Sequence, residues 1–242
     1  WSQRLPQVQL LQSLCKLAYE NPSTIDGYMS MFACGCYPHN LNSCDCTWSD
    51  VNPTPSEPLF EYAYYEYNQR FETLVLHDHR AGVIVVAFGG TDLTSLTEWK
   101  HNLNFDDVHL HSNSSIRVHE GFLEAFLKTY SQAKLQRGRC RSEDGTVCPQ
   151  RLREFLSEAY ARNSSSKLLI TGHSLGGAMA SIASVYLSKL GPSSEQHYEI
   201  ASLVTFGAPR AGCGGTSDEE SCFPCQLHKL VPSAVRVTRH ND

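Results

Sequence analysis

Apolar residues recur at Leu5, Val8, Leu11, Leu14, Cys15 and Ala18, one face of a helix, and Asn21-Pro22 ends that helix. The period then changes. Phe60, Tyr62 and Tyr64 alternate with polar or small neighbours and predict a strand; Phe71 to His77 predicts a second, with a turn over Asp78 to Gly82. Val83 to Phe88 is an unbroken apolar run, as expected of a strand covered on both faces. Helical patterning returns over Gly121 to Gln136, Arg151 to Ala161 and Ala178 to Leu190. Short apolar runs at Leu168 to Ile170, Ala201 to Phe206 and Ala234 to Thr238 read as strands. This alternation through the second half predicts an α/β fold, a central and mainly parallel sheet with helices on both faces. Asn40 to Pro58 reads as a stapled loop, and Cys213 to Pro224, polar and rich in Gly and Cys, as a surface insertion.

A chain of 242 residues suffices for one well-buried domain and is short for two. The net charge of −5, with no large basic block, argues against nucleic acid as a partner. No apolar run reaches the length that spans a bilayer. The chain begins at Trp1 and shows no signal peptide, so it is expected to start after a cleavage or to be a fragment. The even total of ten cysteines changes the picture further. Cys34, Cys36, Cys44 and Cys46 form one knot, Cys213, Cys222 and Cys225 another, and Cys140 and Cys148 flank a polar loop. Such loop-rich settings favour disulfides in an oxidising compartment, with a zinc site as the alternative for the first knot. Asn113-Ser114-Ser115 and Asn163-Ser164-Ser165 have the form of glycosylation acceptors and fit a secreted or lumenal protein.

The chemistry centres on Gly172-His173-Ser174-Leu175-Gly176-Gly177. A strand precedes it and a helix follows it, the setting of a nucleophile elbow in which a strained backbone exposes the serine hydroxyl. A side chain at Gly172 or Gly176 would collide with the neighbouring strand or helix. A serine nucleophile also needs a base, an acid to orient it, and donors for an oxyanion. The backbone N–H of Leu175 is the first donor. Gly89-Gly90-Thr91, after the buried strand, is either the loop bearing the second or an ordinary glycine turn.

Four blocks carry a family resemblance. Ala87-Phe88-Gly89-Gly90-Thr91-Asp92 with Glu98 to Leu103 resembles the oxyanion loop and lid of the fungal-type, class 3 lipases. Val118 to Phe122 resembles their His-x-Gly-Phe box, Thr171 to Gly177 their elbow, and Thr205 to Arg210 their Phe-Gly-x-Pro-Arg turn, all in the family's order. The resemblance implies an α/β-hydrolase fold and cofactor-free hydrolysis of lipid esters at an interface. It implies Ser174 as nucleophile, Thr91 with Leu175 in the oxyanion hole, and Asp242 as the triad acid. His119 belongs to a box with a structural role, and His173 is expected to pack under the elbow. Leu93, Leu96, Trp99 and Leu103 lie near one face of a helix, which reads as a lid docking transiently on a lipid surface or as a fixed surface helix.

Two departures from the family stand out. Gly90 occupies a position where the family usually has Arg. The triad order of this fold is Ser, then acid, then His, yet no histidine follows Asp242. A C-terminal portion is therefore expected to be missing; the alternative is a catalytically inactive lipid-binding or surface protein of the same fold. A feruloyl-type carbohydrate esterase is a further alternative that the apolar lid disfavours. The 242 residues alone are expected to be nearly inactive, and full activity on a soluble short-chain ester would overturn the histidine expectation.

Overall fold

The computed structural model describes residues 5–20, 25–26, 28–29, 33, 49, 59–90, 106–140, 148–189, 191–212 and 218–238. The helix α1 (Leu5–Leu17) precedes three strands, β1 (Phe60–Tyr67), β2 (Phe71–Asp78) and β3 (Val83–Phe88). A small pair follows, β4 (Asp107–His109) and β5 (Arg117–His119), then α2 (Glu120–Gln132) and β6 (Lys134–Arg139). The second half runs α3 (Leu152–Arg162), β7 (Lys167–His173), α4 (Leu175–Tyr186), β8 (Ile200–Phe206), α5 (Phe223–Leu230) and β9 (Val235–Val237). Among the described residues, a seven-stranded sheet takes the order β6-β1-β2-β3-β7-β8-β9. It is parallel from β3 through β7 and β8 to β9 and antiparallel from β3 outward through β2 and β1 to β6. This is the α/β fold that the alternation predicts, extended by a meander the N-terminal strands supply.

Strand periodicity divides the core into two layers. On one face, Tyr62, Tyr64, Leu74, Val85 and Ala87 pack with Leu11, Leu14 and Ala18 of the α1 segment. On the other, Tyr65, Val75, Ile84, Val86 and Phe88 pack with Phe122 and Phe126 of α2 and Met179 and Ile182 of α4. Residues one apart along β3 thus enter opposite layers, as the pleat requires. Every residue of α4 is buried, and its small side chains let it lie close against β7 and β8. Its buried hydroxyls are satisfied locally: Ser181 donates to the Gly177 carbonyl at 2.9 Å and Ser184 to Ala180 at 2.8 Å.

Two expectations are corrected. The helix expected over Gly121 to Gln136 stops at Gln132, and residues 134–139 form β6. Pairing with β1 decides the matter, because Lys134, Arg137 and Arg139 make a charged outer strand that no apolar period announces. The surface loop expected over Cys213 to Pro224 is a loop only in part. Cys222 and Phe223 are buried, and Phe223-Pro224 opens α5, proline being well tolerated in a first helical turn. Disulfides join Cys140 to Cys148 and Cys222 to Cys225, with Cα separations of 5.1 and 5.2 Å. Cys15 is free and buried. The first cysteine knot and Cys213 lie outside the described residues.

A polar knot is buried at the edge of the sheet where β3 begins. The Glu61 carboxylate is fully buried and accepts hydrogen bonds from Arg162 at 2.7 Å and His79 at 2.8 Å; His77 Nδ1 stands 3.7 Å away. Burial, opposed by Glu61, holds the His77 imidazole below its ordinary value. The unfolded chain protonates this imidazole at about pH 6.5, so below that pH the unfolded state binds the extra proton and stability falls. His77→Gln should flatten the decline of melting temperature from about pH 6.5 downward, read from thermal melts at several pH values. An unchanged slope would assign the decline to other groups.

Candidate active site

Ser174 joins β7 to α4 with φ 51° and ψ −124°, a conformation that costs a non-glycine residue on the order of 1–3 kcal/mol. The surroundings hold it there. The Ser174 N–H donates to the Phe206 carbonyl at 2.9 Å, and the Ser174 carbonyl accepts from the Gly177 N–H at 3.0 Å. A Cβ on Gly172 would lie 2.2 Å from the Gly176 oxygen, and one on Gly176 would lie 2.3 Å from the Phe88 oxygen. The end of β7, the first turn of α4 and the end of β3 therefore meet backbone to backbone, as the elbow motif requires. Ser174 is partly exposed. Leu175, its side chain buried, is the first residue of α4, so its N–H lacks an intrahelical acceptor and lies at the positive end of the helix.

The parallel strands end together. Register pairs Phe88 with Gly172, His173 with Phe206, and Phe206 with Val237, so β3, β7, β8 and β9 finish at one edge of the sheet. Crevices at such carboxyl ends are where open α/β sheets bind ligands. Behind β8, Gly207 has φ 55° and its N–H donates to the Val237 carbonyl at 2.8 Å. The Arg236 guanidinium donates to the Ala208 carbonyl at 2.7 and 3.2 Å, and a Cβ on Gly177 would lie 2.5 Å from the Ala208 Cβ. The Phe-Gly-x-Pro-Arg turn is thus seated against the elbow.

Of the expected site residues, Ser174 and Leu175 fall within the description. Thr91, the lid residues Leu93, Leu96, Trp99 and Leu103, and Asp242 lie outside the described residues. In the chain, Thr91 follows β3 and Gly89-Gly90, and Asp242 follows β9. His173 does not pack under the elbow as expected. It is exposed, because successive strand residues face opposite ways and its neighbour Gly172 takes the buried side. Its Nδ1 is 2.8 Å from the Tyr19 hydroxyl, and burial of part of the ring holds its pKa below the ordinary value. His119 faces Asp107 at 3.3 Å and packs edge-on against Phe122, while its N–H donates to the Ala211 carbonyl at 3.1 Å. That arrangement fits the structural role expected of its box.

Two groupings escape sequence reasoning. Tyr19 follows the last apolar position of the N-terminal pattern and carries no motif. Glu61, His77 and His79, among the described residues, come close enough to offer a metal three ligands. Arg162 already neutralises the Glu61 oxygen, and Ile84, the partner of His77, lies at the start of β3, remote from the Ser174 edge.

Comparison with known proteins agrees with this geometry. The family model for lipase (class 3) matches residues 85–242. Triacylglycerol lipase OBL1 of Arabidopsis thaliana is 25% identical over 254 residues, covering 96% of this chain and 44% of that protein. Secreted mono- and diacylglycerol lipase 1 of Fusarium solani is 30% identical over 138 residues, covering 57% of this chain and 33% of that protein. The chain therefore spans less than half the length of these relatives. The crystal structure of a mutant of MDLA from Penicillium cyclopium superposes with a TM-score of 0.59 at 18% identity, covering 98% of this chain and 71% of that one, a likeness of fold.

The elbow's tolerance is testable directly. Gly176→Ala drives a methyl group into the Phe88 and Gly89 carbonyls, which stand 2.3 and 2.4 Å from the ideal Cβ position. Overpacking of this kind costs about 1–3 kcal/mol or more, so the melting temperature should fall by several degrees. An unshifted melt would show that the three backbones do not meet as described.

Proposed function

We propose that this chain, which belongs to the class 3 lipase family, hydrolyses carboxylic esters of lipids, acylglycerols or phospholipids, through an acyl-enzyme on Ser174. The observation that carries the reading is the strained, partly exposed serine between a parallel strand and the amino end of a buried helix. In that place a hydroxyl oxygen can reach an ester carbonyl while the helix end favours the negative charge that attack creates.

An imidazole oriented by Asp242 removes the Ser174 proton as the oxygen attacks the ester carbonyl. The N–H groups of Leu175 and Thr91 receive the oxyanion, one such donor contributing about 3–4 kcal/mol to the transition state. Collapse expels the alcohol, which takes the proton, and leaves the acyl group on Ser174. Water then enters by the same route and releases the fatty acid. The segment bearing Leu93, Leu96, Trp99 and Leu103 follows the oxyanion loop in the chain and turns its apolar face to a lipid surface when the site opens. The chemistry asks for no cofactor.

Two disulfides support a secreted or lumenal location. Asn113 is exposed and free to carry a glycan, whereas the Asn163 side chain accepts hydrogen bonds from the Ser165 N–H and hydroxyl at 3.1 and 2.7 Å.

Labelling of the full-length protein with a fluorophosphonate, followed by peptide mapping, should place the adduct on Ser174. Ser174→Ala should abolish both labelling and ester hydrolysis with an unchanged circular dichroism spectrum. An adduct elsewhere, or hydrolysis that survives the substitution, would sink the assignment.

A further inference from the structure

After α1 the chain makes two tight turns, with Tyr19 N–H donating to Lys16 and Glu20 N–H to Leu17, each at 3.0 Å. They carry the Tyr19 side chain to the edge where Ser174 stands. There its hydroxyl meets the His173 ring and the Gly90 backbone. It lies 2.8 Å from His173 Nδ1, with the two rings edge to face at 5.9 Å. It also stands directly against the backbone of Gly90. A Cβ at Gly90 would sit 2.2 Å from this hydroxyl, 2.7 Å from the His173 carbonyl and 3.3 Å from the Ser174 Cβ. The family's usual arginine could not stand at Gly90 with Tyr19 in this position.

The tautomer of His173 sets the direction of its bond with Tyr19. With the imidazole proton on Nε2 the Tyr19 hydroxyl donates to Nδ1; with it on Nδ1 the hydroxyl accepts. Partial burial keeps both side chains neutral, pushing the Tyr19 hydroxyl up to about 12 and holding His173 below its ordinary value.

We propose that Tyr19 is a positioning residue for ester hydrolysis: its hydroxyl, bonded to His173 of the elbow, braces the turn at Gly90 and so sets the oxyanion loop against Ser174. The inference rests on the reading of Ser174 as nucleophile. It adds an N-terminal participant outside residues 85–242, the stretch matched by the family model. Tyr19 contributes through geometry: it orders the donors before charge develops and takes no proton from substrate.

The test is Tyr19→Phe in the full-length protein, which keeps the ring and its packing and deletes the clamp. The melting temperature should move little. On a soluble short-chain ester, kcat should fall about 10- to 100-fold with KM changed less than about twofold, a smaller loss than deletion of a whole oxyanion donor. The rate of fluorophosphonate labelling should fall in parallel, because phosphonylation builds the same charge. Unchanged kcat in a folded variant would overturn the proposal, as would a change in KM alone, which would make Tyr19 a substrate contact. Nitrogen-15 spectra of His173 separate this from a failure of the nucleophile assignment. Nδ1 should report a hydrogen bond in the wild type and shift in Tyr19→Phe, whether or not the wild type hydrolyses esters. An Nδ1 signal indifferent to the substitution would show that no clamp exists.

Discussion

The close meeting of three backbone segments at Gly172, Gly176 and Phe88 is the constraint on which the site depends. Strand β7 must end, reverse and enter α4 within the space of Ser174, and it can do so only where nothing larger than hydrogen projects from Gly172 and Gly176. The hydrogen bond from Ser174 to Phe206 and the return bond from Gly177 keep the serine in a backbone region it would otherwise leave. The same approach brings the end of β3, and with it Gly89-Gly90, against the first turn of α4. Ser174 and the Gly89-Gly90 turn are therefore positioned by one packing event.

The rest of the molecule makes that event stable. The sheet is covered on both sides, by the α1 segment on one face and by α2 and α4 on the other, and β3 and β7 lie at its centre. Both strands are nearly continuous in buried residues, so a shift in register would drive Lys167 toward the interior. The Phe-Gly-x-Pro-Arg turn, fixed by Arg236 to the Ala208 carbonyl, closes the far side of the elbow. Class 3 family membership and the MDLA-like fold are consistent with this division between a rigid sheet edge and the loops that leave it.

The elbow was legible from sequence because its constraint is local: glycines at fixed offsets, between an apolar run and a helical run, encode the steric fact itself. The central strands were legible for a similar reason, since Val83 to Phe88 and Ala201 to Phe206 are apolar throughout. What escaped is non-local. Lys134 to Arg139 joins the sheet through backbone pairing with β1, and its side chains carry no strand period. Phe223 to Leu230 follows a polar, cysteine-rich stretch, so its helical start was hidden behind loop composition. Tyr19 reaches His173 across 154 positions of chain, and the hydrogen bond between them has no counterpart in spacing. The orientation of His173 failed for a simpler reason: alternation along β7 outweighs the chemistry of the side chain.

Helix α4 carries neither an acidic residue in its first turn nor a basic one in its last, and all of its residues are buried. Two glycines and two serines in so short a segment give it little tendency to hold its shape alone in water. It forms when β7 and β8 offer it a surface, and those strands pair in parallel across a long crossover, the slow kind of contact to assemble. The newly made chain thus passes through its early folding stages with Ser174 in a relaxed backbone. The strained turn arrives only with the finished sheet.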